Sequence, residues 1–80
     1  MNLTELQEVI AIVCAVGGLP GGLAPDEDFY AAGFSSIRAL QLLMELESRY
    51  DVSIPDDDFI AARCASDLQT LLNRLLETGK

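Results

Sequence analysis

Apolar residues return at three- and four-residue intervals along three long stretches of this chain, and glycine, proline and acidic residues separate those stretches. In the first, Leu3, Leu6, Val9, Ile10, Val13 and Cys14 fall on one helical face; Thr4 is placed to cap the helix and Gly17-Gly18 to end it. In the second, Ile37, Leu40, Leu43, Met44 and Tyr50 repeat at helical spacing. They predict a helix from about Ser36 to Tyr50 with that face buried and Ser36 at its exposed N-terminal end. The last helix begins after Ser66, a suitable cap, and buries Leu68, Leu71, Leu72 and Leu75. A shorter helix is predicted near Asp56 to Ala62, with Pro55 before it and acids in its first turn.

Between the first two helices, residues 17–35 carry Pro20, Gly21, Gly22 and Pro25 and hold too many breakers for a regular element. Leu19, Leu23, Phe29 and Phe34 are spaced to pin this connection to the bundle. With no internal repeat and no second domain in the pattern, residues 1–80 read as one all-α domain: three long helices, one short one, and a long loop after the first. Such a length buries roughly 60–65% of the unfolded surface, enough for independent folding. Half the residues are apolar but only 6% are aromatic, which suits a helical core of Leu, Ile, Val and Ala better than a sheet.

Charge narrows the partners. Thirteen acids against five bases give a net charge of −8, which repels phosphate backbones and anionic lipid. Nucleic acid and membrane insertion are therefore not expected. Basic surfaces on partner proteins are the natural complement, and such steering raises association rate more than final affinity. No basic segment followed by an apolar one marks a secretion signal, and no apolar run reaches membrane length, so a cytoplasmic protein is expected.

The candidate chemistry centres on Ser36. Its hydroxyl sits where backbone N–H groups and the helix dipole favour a phosphate. As a nucleophile it lacks a base, because the chain has no His and its one lysine is the terminal Lys80. Cys14 and Cys64 lie in apolar helical patterns without metal-ligand spacing and read as core thiols, a disulfide being the alternative. Asp56-Asp57-Asp58 lacks the alternation, glycine and terminal Glu of a Ca²⁺ loop. Asp26-Glu27-Asp28 begins with that alternation but places Ala31 where glycine belongs and Ile37 at the twelfth position. Both read as helix starts or solvated charge, and no metal site is expected. Arg38, Arg49, Arg63 and Arg74 are scattered, as local ion pairs would be.

The run Asp26 to Ile37, followed by Leu40-Gln41-Leu42-Leu43-Met44-Glu45-Leu46-Glu47, then Tyr50 and Val52-Ser53-Ile54-Pro55-Asp56, resembles the acyl, peptidyl and aminoacyl carrier-protein family. Members carry a Gly-x-Asp-Ser-Leu-like signature, here Gly33-Phe34-Ser35-Ser36-Ile37, and the resemblance covers nearly the whole chain in order. It implies a four-helix bundle of the acyl-carrier type. It also implies 4′-phosphopantetheine on Ser36, received from coenzyme A, with an acyl or aminoacyl thioester as cargo. Implied partners are a phosphopantetheinyl transferase, a loading ligase or acyltransferase, and downstream biosynthetic enzymes of fatty acid, polyketide or nonribosomal peptide type. The chain itself is then not an enzyme, and it is expected to be monomeric and free-standing.

One position departs from the family: the residue before the modified serine is usually Asp, and here it is Ser35. In the family that Asp faces the Mg²⁺ and coenzyme A site of the transferase. Its loss supports an alternative, an unmodified adaptor that keeps the fold and only docks. The segment between Pro55 and Leu68 is longer than in fatty-acid carriers and looks more like carriers of single amino acids. The resemblance places the docking surface at Ser35, Ile37, Arg38, Gln41, Leu42 and Glu45 of the second helix, with Leu42 as an exposed apolar contact, and at Phe59 and Ile60 beside the cargo region.

Overall fold

A computed structural model of the chain describes residues 5–19 and 22–78. Four α-helices follow in order: α1, Leu6–Gly17; α2, Ala39–Tyr50; α3, Asp56–Ala61; and α4, Ala65–Thr78. No strand occurs among the described residues. A single 3-10 turn, Ser36–Arg38, leads into α2, so the helical run predicted from Ser36 is present with a tightened first turn.

The first two helices end in the same way. Gly18, at φ 65°, donates its N–H to the Cys14 carbonyl, and Leu19 donates to that oxygen at 3.0 Å, which satisfies an otherwise orphaned acceptor and reverses the chain. Asp51 takes the equivalent left-handed position after α2, at φ 55°, and donates to Glu47. An acidic side chain is a poor choice there, since it meets both a backbone cost and the negative end of the helix dipole. Thr4, predicted to cap α1, lies outside the described residues together with Leu3, Pro20 and Gly21; Glu5 occupies the cap position without a side-chain bond.

Packing of α1 is antiparallel to α2. Glu8, near the start of α1, accepts from the Tyr50 hydroxyl at 2.7 Å, while Val16, near its end, accepts from Arg38 at 3.0 Å. α1 is the central helix, burying Val9, Ile12, Val13 and Val16 against Leu42 and Leu46 of α2 and Leu68, Leu71 and Leu72 of α4. Phe59 of α3 and Leu23, Phe29 and Phe34 of the long loop close the same core, so three of the four residues expected to pin the loop are buried and Leu19 is half-buried.

Two expectations about the helices are corrected, the buried face of α2 and the start of α4. α2 buries Leu42 and Leu46 completely, with Ala39, Leu43 and Tyr50 half-buried beside them. Ile37 is 89% exposed, Leu40 64% and Met44 60%, so the stripe predicted to be buried is largely the solvent face. Residues 39–46 are apolar at 39, 40, 42, 43, 44 and 46, and both stripes satisfy helical periodicity. Only the angle at which α2 meets α1 separates them. α4 also begins earlier than predicted: Ser66 lies inside its first turn, where its N–H donates to the Pro25 carbonyl at 2.9 Å instead of its side chain capping the helix.

Candidate functional site

The long loop delivers Ser36 through anchored steps. Asp28 Oδ1 accepts from the Tyr30 N–H at 2.9 Å and the Ala31 N–H at 3.3 Å, folding a local turn. Asp28 Oδ2 accepts from Arg63 Nε at 2.8 Å, joining that turn to the segment between α3 and α4. The Phe29 N–H donates to the Arg63 carbonyl at 2.9 Å, a second tie between the same two segments. Arg63 also lies 4.8 Å over the Tyr30 ring. Its hydrogen bond and charge hold the Asp28 carboxyl below the usual carboxylate range, while partial burial pushes the Tyr30 phenol up.

The rings of Phe29, Tyr30 and Phe34 then form a cluster with centroids 4.8–5.7 Å apart, Phe34 edge-to-face with both others and Phe29 tilted against Tyr30. Gly33, at φ 117°, makes the bend that turns Phe34 inward, a conformation glycine alone adopts without strain. With Phe34 buried, the next residues leave the core. Ser35 is extended, its Oγ accepts from the Ile37 N–H at 3.2 Å, and its carbonyl accepts from Arg38 at 2.9 Å. Ser35 is thus the cap of the helical turn, and Ser36 is that turn's first residue, exposed to solvent.

The surroundings suit a phosphodiester. From Phe29 to Met44 the chain carries no acidic residue, although 13 of its 80 residues are acids. Arg38 is the one charged side chain in that interval. A negative group on Ser36 therefore has no like-charged sequence neighbour and sits at the positive end of the helical run. The acid-free interval was readable in the sequence and is the signal that the charge inventory passed over.

Of the residues expected to form a docking face, Ile37, Gln41 and Glu45 line an open surface depression together with Leu40 and Met44. Ser35 is exposed beside them. Ile60 is 67% exposed on α3. Two expected members are corrected: Leu42 and Phe59 are core residues, at 0% and 5% exposure, and cannot meet a partner in the folded chain. Leu40 and Met44 are the members that periodicity assigned to the wrong side. Arg38 is exposed overall, but its guanidinium reaches the Val16 carbonyl.

The remaining features have local roles. Arg49 pairs with Glu45 at 3.5 Å and meets Glu8 at 4.0 Å, and Arg74 pairs with Asp58 at 3.5 Å, the local ion pairs expected of scattered arginines. Asp56, Asp57 and Asp58 occupy the first turn of α3, where acids complement the helix dipole. Cys14 and Cys64 are half-buried thiols that form no disulfide. Among the described residues, no group of three or more His, Cys, Asp or Glu is arranged to hold a metal ion, and no helix is long and apolar enough to cross a membrane.

An acid-rich helical bundle that offers one serine at an exposed helix start, held by an anchored loop and flanked by an apolar face, has the architecture of a carrier. The chain belongs to the phosphopantetheine attachment site family, whose model matches residues 7–72. It is 37% identical over 60 residues to an aminoacyl carrier protein of Agrobacterium fabrum (strain C58), covering 71% of this chain and 68% of that protein. The fold matches the solution structure of the hexanoyl acyl carrier protein of the actinorhodin polyketide synthase from Streptomyces coelicolor, with a TM-score of 0.83. The acetyl form of the actinorhodin acyl carrier protein matches with a TM-score of 0.77. Each of these two structures is 26% identical, with 99% of this chain and 98% of the other covered. The protein is accordingly a phosphopantetheine-dependent carrier.

Proposed function

We propose that Ser36 carries the 4′-phosphopantetheine arm, and that the chain delivers an acyl or aminoacyl group between enzymes without catalysing a reaction itself. The carrying observation is that Ser36 is the exposed first residue of the capped turn, in an acid-free interval within the family match. When bound, the arm supplies a terminal thiol on which cargo is held as a thioester. The chain's own residues supply presentation: Ser35 holds the turn, and Ser35, Ile37, Gln41 and Glu45, with Ile60 on α3, offer the docking face, Leu40 and Met44 completing it and Arg38 at its edge.

Partners on this reading are a phosphopantetheinyl transferase, a loading ligase or acyltransferase, and downstream biosynthetic enzymes, encountered by a monomer in the cytoplasm. The relative named as an aminoacyl carrier supports amino acid cargo, and the polyketide structures support an acyl chain. A loading assay with aminoacyl and acyl donors separates the two. The unmodified adaptor rests on Ser35 standing where Asp is usual. Ser and Asp are both strong helix caps, so this replacement keeps the turn that presents Ser36. The test is intact mass after incubation with coenzyme A, Mg²⁺ and a broad-specificity transferase. One phosphopantetheinyl group gained by the wild type and absent from Ser36→Ala supports the carrier; no gain with several transferases, on folded protein, returns the adaptor.

A further inference from the structure

Two contacts fasten the serine-bearing turn to the end of α1, and neither belongs to the serine or its cap. The first is steric. Gly17 is the last residue of α1, and a Cβ placed on it would meet Phe34 Cδ2 well inside van der Waals contact and Cε2 at 2.9 Å. The ring cannot swing aside freely, because Phe34 is 3% exposed and wedged against Phe29 and Tyr30. Gly17 is thus required by the closeness of an aromatic ring and not by its backbone angle, since its φ is not positive. The second contact is polar. Arg38 Nη1 donates to the Val16 carbonyl at 3.0 Å in a half-buried setting, 22 residues away in sequence. Val16 is in the last turn of α1, where carbonyls lack intrahelical partners and the dipole favours a cation, and the helix supplies no basic residue there itself.

We infer that the C-terminal turn of α1 is a platform that sets the position of the Ser36 turn, with Gly17 and Arg38 as its positioning residues. Phe34 seats two residues before Ser36 and Arg38 two residues after it, so the turn is held on both sides while its hydroxyl stays free. A turn held on one side only spends part of its time displaced, and an enzyme that must dock on it then meets a reduced competent fraction. That fraction enters the apparent affinity and not the chemical step. The functional part of this inference rests on Ser36 being the modified residue.

The test uses the unmodified full chain and four variants: Arg38→Ala, Arg38→Lys, Gly17→Ala and Gly17→Ala with Phe34→Leu. Two readouts are taken, amide hydrogen exchange at Ile37, Arg38 and Ala39, and KM and kcat for phosphopantetheinyl transfer from coenzyme A. Arg38→Ala and Gly17→Ala should each speed exchange at those amides about tenfold, as expected for losing one hydrogen bond to a charged group or its steric equivalent. Exchange in the α4 core should be unchanged, and the transferase KM should rise with kcat retained. Arg38→Lys should restore part of the effect by donating to the same carbonyl, and Phe34→Leu should relieve Gly17→Ala. A raised KM for Arg38→Ala with unchanged exchange and a silent Gly17→Ala would make Arg38 a partner contact and overturn the platform. Faster exchange throughout α4 would make both residues general stabilisers and overturn it equally. If Gly17→Ala fails to fold, the two Arg38 variants decide. If the wild type gains no phosphopantetheine mass, the Ser36 assignment fails by itself and the exchange readout alone decides the platform.

Discussion

Leu42 and Leu40 sit two residues apart on α2 and should respond to truncation in opposite ways. Leu42 is fully buried between α2 and the core, whereas Leu40 is 64% exposed beside Ile37 and Met44. Leu42→Ala removes about 2–3 kcal/mol of burial and leaves a cavity the surrounding helices only partly fill, for a total of about 3 kcal/mol. In a domain of this size that lowers Tm by roughly 12–24 °C. Leu40→Ala opens no cavity and slightly favours the helix, so stability should change by under about 0.5 kcal/mol. Its cost falls on docking: burying about two thirds of a leucine at an interface is worth about 1–2 kcal/mol, or roughly a 5- to 30-fold loss in kcat/KM for transferase or loading enzyme. Because the contact is apolar, that loss should hold between ~0.05 and ~0.5 M salt, where charge steering is screened away. Thermal unfolding by circular dichroism and steady-state loading kinetics measure the two quantities. Equal destabilisation by both substitutions, or a stable Leu42→Ala with impaired loading, would refute the assignment of the two faces.

Asp51→Gly should stabilise the chain by about 0.5–1 kcal/mol, because it relieves a left-handed acidic residue at the end of α2; urea denaturation that shows a loss would contradict this. Asp28→Asn keeps an oxygen for the Tyr30 N–H but removes the charge that pairs with Arg63. The folded Asp28 pKa is lowered, chiefly by the Arg63 hydrogen bond, so the stability it contributes is present above the pKa of the unfolded chain and is lost as pH falls through the folded value. The gap between wild type and Asp28→Asn should therefore be open at neutral pH and close below the usual carboxylate range, and a gap that persists in acid would show that packing, not charge, sets it.

The number and order of helices were legible because their causes are local. Breakers cluster between residues 17 and 35, Gly18 ends α1, Pro55 precedes α3, and each long helix has apolar spacing of its own. Ser36 was legible for a similar reason, since a serine at the junction of a loop and an amphipathic helix needs no tertiary information to be exposed at a helix start. The orientation of α2 was not, because Leu40 and Met44 on one side and Leu42 and Leu46 on the other satisfy the same period, and the choice depends on where α1 lies. Phe59 enters the docking surface through the family resemblance, which says nothing of its burial in this chain, and a six-residue helix has too few turns for its own pattern to reveal its buried side.

The sequence by itself determined an all-α chain, a strongly acidic composition and a serine at the start of the second helical run, all properties of composition and of neighbours within one or two turns. Tertiary structure decided which apolar stripe faces solvent, that Arg63 ties the loop to the far side of the bundle, and that Gly17 and Arg38 bring α1 against the Ser36 turn. Those contacts join residues 17 to 35 positions apart, and no periodicity within a helix encodes the distance between two elements that meet only after the core has closed.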